Sequence, residues 1–509
     1  MKWLLACLAA GAVSACGFAP LDLWPLTLIG TAFLLFAVER APGLRGALAR
    51  GWWFGLGQFT VGLNWIATAF SYQSNMPAWL GWVAVVLLSL YLAIYPAVAS
   101  GLAWRWAGGD RLRLVLVFAA AWIVTEFLRG VLFTGFPWNP LGVSLLLTPA
   151  SIFSTLAGTY ALSGLAALFA GVLYLLARRQ WRSGAGVALG AAAAIGIAAL
   201  WAPSPGTQAG GAVRIVQPNI DQEIKYDPGH FERQWQRLEE LTGRPEDRAP
   251  RPSGRMIFWP EVAIPDLISI EEPARMRIAA LLGPRDVMLT GASELVFNDA
   301  GRVAGIYNSL FSLDALGTIH GRYDKSHLVP YGEYLPMRPL MSALGLSELA
   351  PSDFDTWEGP GPRSISVPGF GRMGGQICYE IVFSGAVVDD ADRPNFLFNP
   401  SNDAWFGRWG PPQHLAQARL RAREEGLPVL RSTPTGISAI IDARGHLVAS
   451  LGWRVAGVID GEVPPAAAPT VFARAGNLMP FLFALLIVAV AVAAARLQSR
   501  AKRASGTHT

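Results

Sequence analysis

The sequence predicts a multi-pass α-helical membrane bundle of about eight spans, joined to a separate layered α/β or α+β domain. Three observations predict it. Of the 509 residues, 52% are hydrophobic and 15% charged, with a mean hydropathy of +0.35, too apolar for a soluble protein of ordinary composition. Apolar runs of spanning or near-spanning length recur through residues 1–210 and again in residues 465–509. Between them, residues 211–464 change to the composition of a globular domain of about 250 residues, ample for a single core.

The runs lie at about Trp3 to Pro20, Leu23 to Val38, Trp52 to Phe70, Trp79 to Trp104, Leu112 to Phe133, Leu156 to Leu176, Ala185 to Trp201 and Leu478 to Ala495. The first two are short and form a tight hairpin around Leu21-Asp22-Leu23, with tilt or local thinning absorbing the mismatch. Lys2, the loops with Arg40, Arg45 and Arg50, with Arg105, Arg111 and Arg113, and with Arg178, Arg179 and Arg182, and the tail with Arg496, Arg500, Lys502 and Arg503 all fall on one side. The positive-inside rule makes that side cytoplasmic, so residues 211–464 are expected to be extracytoplasmic and the C-terminus cytoplasmic. The formal net charge of +5 follows from these clusters, which form no continuous stripe for nucleic acid. Val13-Ser14-Ala15-Cys16 looks like a lipoprotein signal, but the apolar Gly17 to Pro25 leads straight into another span, and an uncleaved helix is expected.

Within the globular stretch, strand-like runs occur at Val213 to Val216, Met256 to Trp259, Val287 to Thr290, Leu310 to Leu313, Arg372 to Ile377, Phe396 to Phe398, Val429 to Arg431, Ile437 to Ile441 and Gly457 to Ile459. Helices are expected over His230 to Leu241, Glu271 to Leu282 and Gln413 to Glu425, with a helix-like run from Ile381 to Val388. Asp314-Ala315-Leu316-Gly317 reads as a hairpin turn. The pattern leaves strand order open. Met337 to Leu349 is either a core-packed insertion or an apolar lid toward lipid.

Of the three cysteines, Cys7 and Cys16 fall in or beside the first apolar run, leaving Cys378 alone in the polar half. The six histidines form no metal-ligand spacing, and neither a GxSxG elbow nor a Walker-type phosphate loop occurs, so no metal or cofactor is implied. Three residues at or beside strand ends can carry chemistry: Glu261, Lys325 and Cys378. A thiol of ordinary pKa needs a base or a cation beside it, and attack on a carbonyl creates an oxyanion needing a fixed donor. Glu261 suits the base; Lys325, with a backbone N–H near Cys378, suits the donor. Each also has a plain structural reading, as helix cap, solvated cation and core thiol. In the spans, Glu126 and Arg129 either pair to anchor the bundle or serve a substrate, and Trp138 reads as an interfacial anchor.

The words around the trio narrow this. Phe258-Trp259-Pro260-Glu261-Val262-Ala263-Ile264-Pro265, then Asp324-Lys325-Ser326-His327-Leu328-Val329-Pro330-Tyr331-Gly332-Glu333, then Gly374-Gly375-Gln376-Ile377-Cys378-Tyr379-Glu380 resemble the Glu, Lys and Cys motifs of the nitrilase superfamily, in that order. Asn399-Pro400-Ser401-Asn402-Asp403-Ala404-Trp405-Phe406-Gly407 and Gln413-His414 to Arg423 resemble its membrane branch, the apolipoprotein N-acyltransferases, and with the spans the resemblance covers essentially the whole chain. It implies an α-β-β-α sandwich of nitrilase type facing the periplasm of a bacterial inner membrane. Glu261 would be general base, Lys325 would stabilise the tetrahedral intermediate and Cys378 would be nucleophile. A phospholipid would donate an acyl chain to the thiol, and the free α-amine of a diacylated apolipoprotein cysteine would accept it. Glu333, Tyr379, Glu380 and Trp405 match supporting or substrate-binding positions. Tyr226 stands where the family often has tryptophan, which leaves that residue's role open.

Physics explains why such a site would sit among spans. Withdrawing an acyl chain from a bilayer costs roughly 0.8 kcal/mol per methylene, on the order of 10 kcal/mol for a long chain, so the site must come to the lipid. An anchored amidase using water as acceptor would need one span, and a degenerate receptor or scaffold would have lost one of the trio.

Overall fold

The computed structural model describes residues 1–72, 77–207, 210–225, 227–249, 251–343 and 356–505. The chain divides into two compact units, Met1–Ala202 with Pro469–Thr509, and Pro203–Ala468.

In the first unit every predicted apolar run contains helix: Lys2–Ala15, Trp24–Glu39, Leu44–Gly62, Leu80–Leu92 continuing as Ile94–Ala107, Arg111–Val131, Ser154–Ala177, Trp181–Trp201 and Leu478–Ser505. Among the described residues, five helical segments are long and apolar enough to cross a membrane, and Lys2–Ala15 and Trp24–Glu39 are shorter apolar helices. Asp110 starts the Arg111–Val131 helix by accepting the Arg113 N–H at 2.7 Å, satisfying one of the amides a helix start leaves unpaired. Trp138 corrects the sequence reading. It is fully buried, with its ring 4.6 Å from that of Trp65, and so presents no surface to a membrane interface.

The second unit is a sandwich of two six-stranded sheets. Its strands are β1 (Ala212–Gln217), β2 (Arg255–Phe258), β3 (Val287–Phe297), β4 (Val303–Asp314), β5 (Ile319–Asp324), β6 (Ser364–Val367), β7 (Gly371–Gly375), β8 (Phe396–Pro400), β9 (Val429–Ser432), β10 (Ala439–Ile441), β11 (Leu447–Ser450) and β12 (Gly457–Glu462). The first sheet runs β12-β1-β2-β3-β4-β5 and the second β11-β10-β9-β8-β7-β6. In each, a parallel trio, β1-β2-β3 or β7-β8-β9, is extended by antiparallel strands.

Side-chain alternation explains the layers, because successive residues of a strand face opposite sides. Val213, Ile215, Met256, Phe258, Val287 and Leu289 meet Met373, Phe396, Phe398, Leu430 and Ile440 between the sheets. The intervening Val216, Ile257 and Met288 face outward onto Trp235 and Leu238 of the helix Phe231–Thr242 and Ala274 and Ile278 of the helix Glu272–Ala279. The helix Gly410–Glu425 lies against the other outer face, where His414 reaches Arg431 of β9. This is the helix-sheet-sheet-helix layering expected of a nitrilase-type domain.

Two further expectations are corrected. No helix spans Ile381 to Val388: one tight turn, Cys378–Val382, ends at Phe383, whose backbone is extended, and Gly385 has φ +74, which no right-handed helix accommodates. Strand β5 was anticipated only through the hairpin turn before it and the strand end at Lys325, and β6 and β11 not at all. All three have exposed residues and two of them, β6 and β11, terminate the second sheet, so they lack the apolar signal of strands buried on both faces. The stretch Met337 to Leu349, read as either a core-packed insertion or a lid, falls partly outside the described residues; within them, Arg338–Ala343 is helical and Met337 is exposed.

Candidate active site

Cys378 follows β7 after Gln376 and Ile377. The strand can lie close against the first sheet because Gly375 has no side chain: a Cβ there would come within 2.5 Å of the Tyr323 ring. Cys378 itself has φ +51, costly for a residue with a Cβ. The turn that holds it is tied down by Glu380. One carboxylate oxygen accepts the Ile377 N–H at 2.6 Å, and the other accepts the Tyr323 hydroxyl at 2.7 Å, the Ser326 N–H at 2.6 Å and the Ser326 hydroxyl at 2.8 Å. Glu380 thus couples the nucleophile's turn to the segment that carries Lys325. Tyr379 is buried, its ring edge-on to Phe383 at 5.2 Å and 6.0 Å from His327.

Lys325 follows β5 directly, its N–H donating to the Asn308 carbonyl at 2.9 Å. Its ammonium is buried, 2.8 Å from the Glu333 carboxylate and 3.6 Å from Glu261 Oε1. Burial alone would pull this ammonium down, and the Glu333 and Glu261 carboxylates outweigh it, holding Lys325 protonated above the ordinary lysine range. Glu333 also accepts the Val329 N–H at 2.8 Å, which fixes its direction.

Glu261 lies just past β2. Its Oε1 accepts the Asn308 side-chain amide at 2.7 Å, and its Oε2 accepts the Asn402 N–H at 2.7 Å. Burial, reinforced by the Glu261 charge, pushes the Cys378 thiol well above its usual range, against the opposing pull of Lys325. At neutral pH the sulfur therefore carries its proton, and attack requires a base that takes it as the bond forms. The arrangement can do this chemistry: a carboxylate to receive the proton and a fixed ammonium for developing negative charge, both close enough for their charges to act on the thiol.

The structure brings Glu261, Lys325, Cys378, Glu333 and Glu380 together. Trp405 sits half-buried in the turn Asp403–Phe406, and Tyr226 lies outside the described residues. Among the described residues, no group of three or more His, Cys, Asp or Glu is arranged to hold a metal ion.

A protein described as apolipoprotein N-acyltransferase from Rhodopseudomonas palustris is 36% identical to this chain, over 94% of the chain and 93% of the relative. The chain belongs to the apolipoprotein N-acyltransferase family. A second relative of that name, from Bradyrhizobium diazoefficiens, is also 36% identical, covering 96% of this chain and 95% of its own length. Residues 10–172 match the family described as apolipoprotein N-acyltransferase N-terminal domain, and residues 212–470 match the carbon-nitrogen hydrolase family. This member of the acyltransferase family is thus an enzyme with a nitrilase-type domain.

Three residues at the site had no role in the sequence reading. Asn308 bridges the two carboxylates, reaching Glu333 Oε1 at 3.4 Å besides Glu261. It lies in β4, before the run Leu310 to Leu313 that read as a strand, so the strand that places an asparagine here, where that residue is disfavoured, was not visible. Asn402 was visible only as part of a motif; its contribution is a backbone N–H, which no sequence displays. Lys225 donates to the Glu261 carbonyl at 2.9 Å, and burial pulls its ammonium down to about 8 against the opposing charges of Glu261 and Cys378. Its sequence neighbours gave no sign that it would be buried.

Proposed function

We propose that this protein transfers a fatty acyl chain from a membrane phospholipid, through a thioester on Cys378, to the free α-amine of the N-terminal diacylglyceryl-cysteine of apolipoproteins. The observation that carries this reading is the buried Glu261–Lys325–Glu333 cluster close to the buried thiol of Cys378, in a chain similar over nearly its whole length to proteins bearing that name.

In the first half-reaction Cys378 Sγ attacks the ester carbonyl carbon while Glu261 takes the thiol proton. The carbonyl electron pair moves onto oxygen, facing the Lys325 ammonium. Collapse breaks the ester C–O bond, and Glu261 returns the proton to the departing lysophospholipid hydroxyl. In the second half-reaction the lipoprotein amine attacks the thioester carbon, loses a proton to Glu261 and expels the sulfur, which is reprotonated. Glu333 holds Lys325 in place, and Tyr379, Tyr226 and Trp405 are assigned to lining the substrate path. About eight spans in residues 1–210 and 465–509, with residues 211–464 facing the periplasm of the inner membrane, fit the one-sided arginine and lysine clusters.

The test is intact-protein mass spectrometry of the detergent-purified enzyme incubated with phospholipid alone, beside Cys378→Ala, followed by a diacylated lipopeptide. The expected result is a hydroxylamine-labile acyl adduct that requires Cys378 and moves to the lipopeptide amine. Hydrolysis of small amides with no acyl adduct would replace this reading with an anchored amidase.

A further inference from the structure

On the outer side of the second sheet, beneath the helix Gly410–Glu425, lies a buried polar cluster that the proposed chemistry does not use. The side chains of His414, Asp403 and Arg431 are all fully buried there. His414 Nε2 is 3.0 Å from the carbonyl oxygen of Cys378, and Asn399 Nδ2 is 3.4 Å from the same oxygen and 2.6 Å from that of Gln376. A carbonyl oxygen only accepts, so His414 carries hydrogen on Nε2. At Nδ1 it meets the Arg431 guanidinium at 3.1 Å and the Asp403 carboxylate at 2.9 Å, so Nε2 remains the donor whether or not Nδ1 is protonated. Arg431 is itself anchored by Asp403 at 2.6 Å and the Ser401 hydroxyl at 2.9 Å.

This grip falls on a particular peptide group. The Cys378–Tyr379 peptide is planar, so its C=O and N–H point in opposite directions. The oxygen is held from the helix side, whereas the Cys378 side chain belongs to the cluster between the sheets. Fixing the oxygen therefore turns the Tyr379 N–H away from the helix, toward the side of the thiol. A φ of +51 at Cys378 persists only where its surroundings over-determine it, and two donors on one carbonyl oxygen do so.

We propose that His414, with Asn399 beside it, is a positioning residue that clamps the nucleophile's own carbonyl and so aims the Tyr379 N–H as a second donor, beside Lys325, for the oxyanion of acyl transfer. The inference rests on the acyl-transfer reading above.

The test compares two reactions of Cys378 in the full-length, detergent-purified enzyme. Single-turnover acylation by phospholipid passes through an oxyanion; alkylation by iodoacetamide displaces iodide without one. His414→Leu is expected to slow acylation by about thirtyfold to a hundredfold, the cost of a misaimed donor, while alkylation stays within about threefold of wild type. His414→Gln, whose amide can still donate, is expected to recover about tenfold of that loss. Acylation by His414→Leu at the wild-type rate would overturn the proposal. So would an equal fall of acylation and alkylation in both variants, which would mark a general disturbance of the site. A wild-type enzyme that is alkylated normally yet never acylated would overturn the acyl-transfer reading itself, and the positioning role with it.

Discussion

Each of the two units buries a cluster of opposite charges, and the two clusters are built differently. In the helical unit Glu126 and Arg129 lie one turn apart on a single helix, 3.7 Å from each other. Both also grip the loop that follows: Glu126 accepts the Leu141 N–H at 2.9 Å as well as the Trp122 indole N–H at 3.2 Å, and Arg129 donates to the carbonyls of Phe136 at 2.9 Å and Trp138 at 2.8 Å. In the sandwich unit one ammonium, Lys325, faces two carboxylates, close to Glu333 at 2.8 Å and farther from Glu261 at 3.6 Å. The first cluster is balanced, one cation to one anion, and its bonds tie down backbone. Around Lys325 the second has two carboxylates to one ammonium, and the farther carboxylate acts on a thiol; the other buried ammonium, Lys225, bonds the Glu261 backbone carbonyl and leaves its carboxylate uncommitted. A base needs that imbalance, because a carboxylate fully committed to a cation has little reason to take a proton.

The comparison breaks most readily at Glu261. Under the proposed chemistry, Glu261→Gln keeps the side chain's size but turns one of its two accepting oxygens into an NH2 group and cannot accept the thiol proton, and acyl-enzyme formation is expected to fall by about a thousandfold. Mass spectrometry of the single-turnover reaction checks it, and near-normal acylation would remove Glu261 from the role of base.

The balanced pair predicts the opposite pattern. Arg129→Met leaves Glu126 buried without its cation and is expected to cost on the order of 3 kcal/mol of stability. Iodoacetamide should still alkylate Cys378 of the folded fraction at close to the wild-type rate. Thermal unfolding in detergent and the alkylation rate separate the two effects.

Glu333→Gln tests the imbalance itself. With one carboxylate gone, Lys325 is free to close the gap to Glu261 and tie up the base, and acylation is expected to slow by roughly tenfold to a hundredfold. An unchanged rate would mean that Glu333 does not hold the ammonium off Glu261.

The last effect, on stability alone, concerns a carboxylate outside both clusters. Glu425 pairs one-to-one with Arg393 at 3.1 Å, yet burial outweighs that partner and pushes its carboxyl up to about 7. A carboxyl raised in the folded state contributes stability that is full below its unfolded value of 4.5 and lost as pH rises through about 7. Between pH 5 and pH 8 the wild-type Tm should therefore fall relative to that of Glu425→Gln, by an amount worth about 1–3 kcal/mol at the upper end. Parallel Tm profiles for the two proteins would show that the Arg393 pair compensates burial after all.

How far each cluster was legible in the sequence follows from its construction. Glu126 and Arg129 share a helix, and a spacing of three along the chain is a spacing in space. Their pairing could be anticipated; their grip on the Phe136 to Leu141 backbone could not. For the same reason Trp138 was misread, since apolar context does not distinguish a tryptophan at a membrane interface from one folded back on Trp65. Glu261, Lys325 and Cys378 come from separate strand ends, and chain order alone left each with a bland alternative. The motifs around them raised the trio, and the fold then brought Glu261 and Lys325 within 3.6 Å. Asn402 and His414 act through backbone groups, one by offering an N–H and the other by holding a carbonyl, and backbone hydrogen bonds leave no residue-type signature.

What the chain determines by itself is therefore local or compositional: the apolar helices, the alternating faces of the central strands, the hairpin at Asp314 to Gly317, and the presence of a glutamate, a lysine and a cysteine in recognisable settings. Those depend on periodicity and on short-range chemistry, which sequence records directly. Tertiary structure decided the strand order, the exposed strands β5, β6 and β11, the charge balance around Lys325 and the left-handed backbone at Cys378. Each of these depends on which distant segments share a dry interior. There, Coulomb and hydrogen-bond energies are set by distances of a few ångströms that no one-dimensional pattern contains.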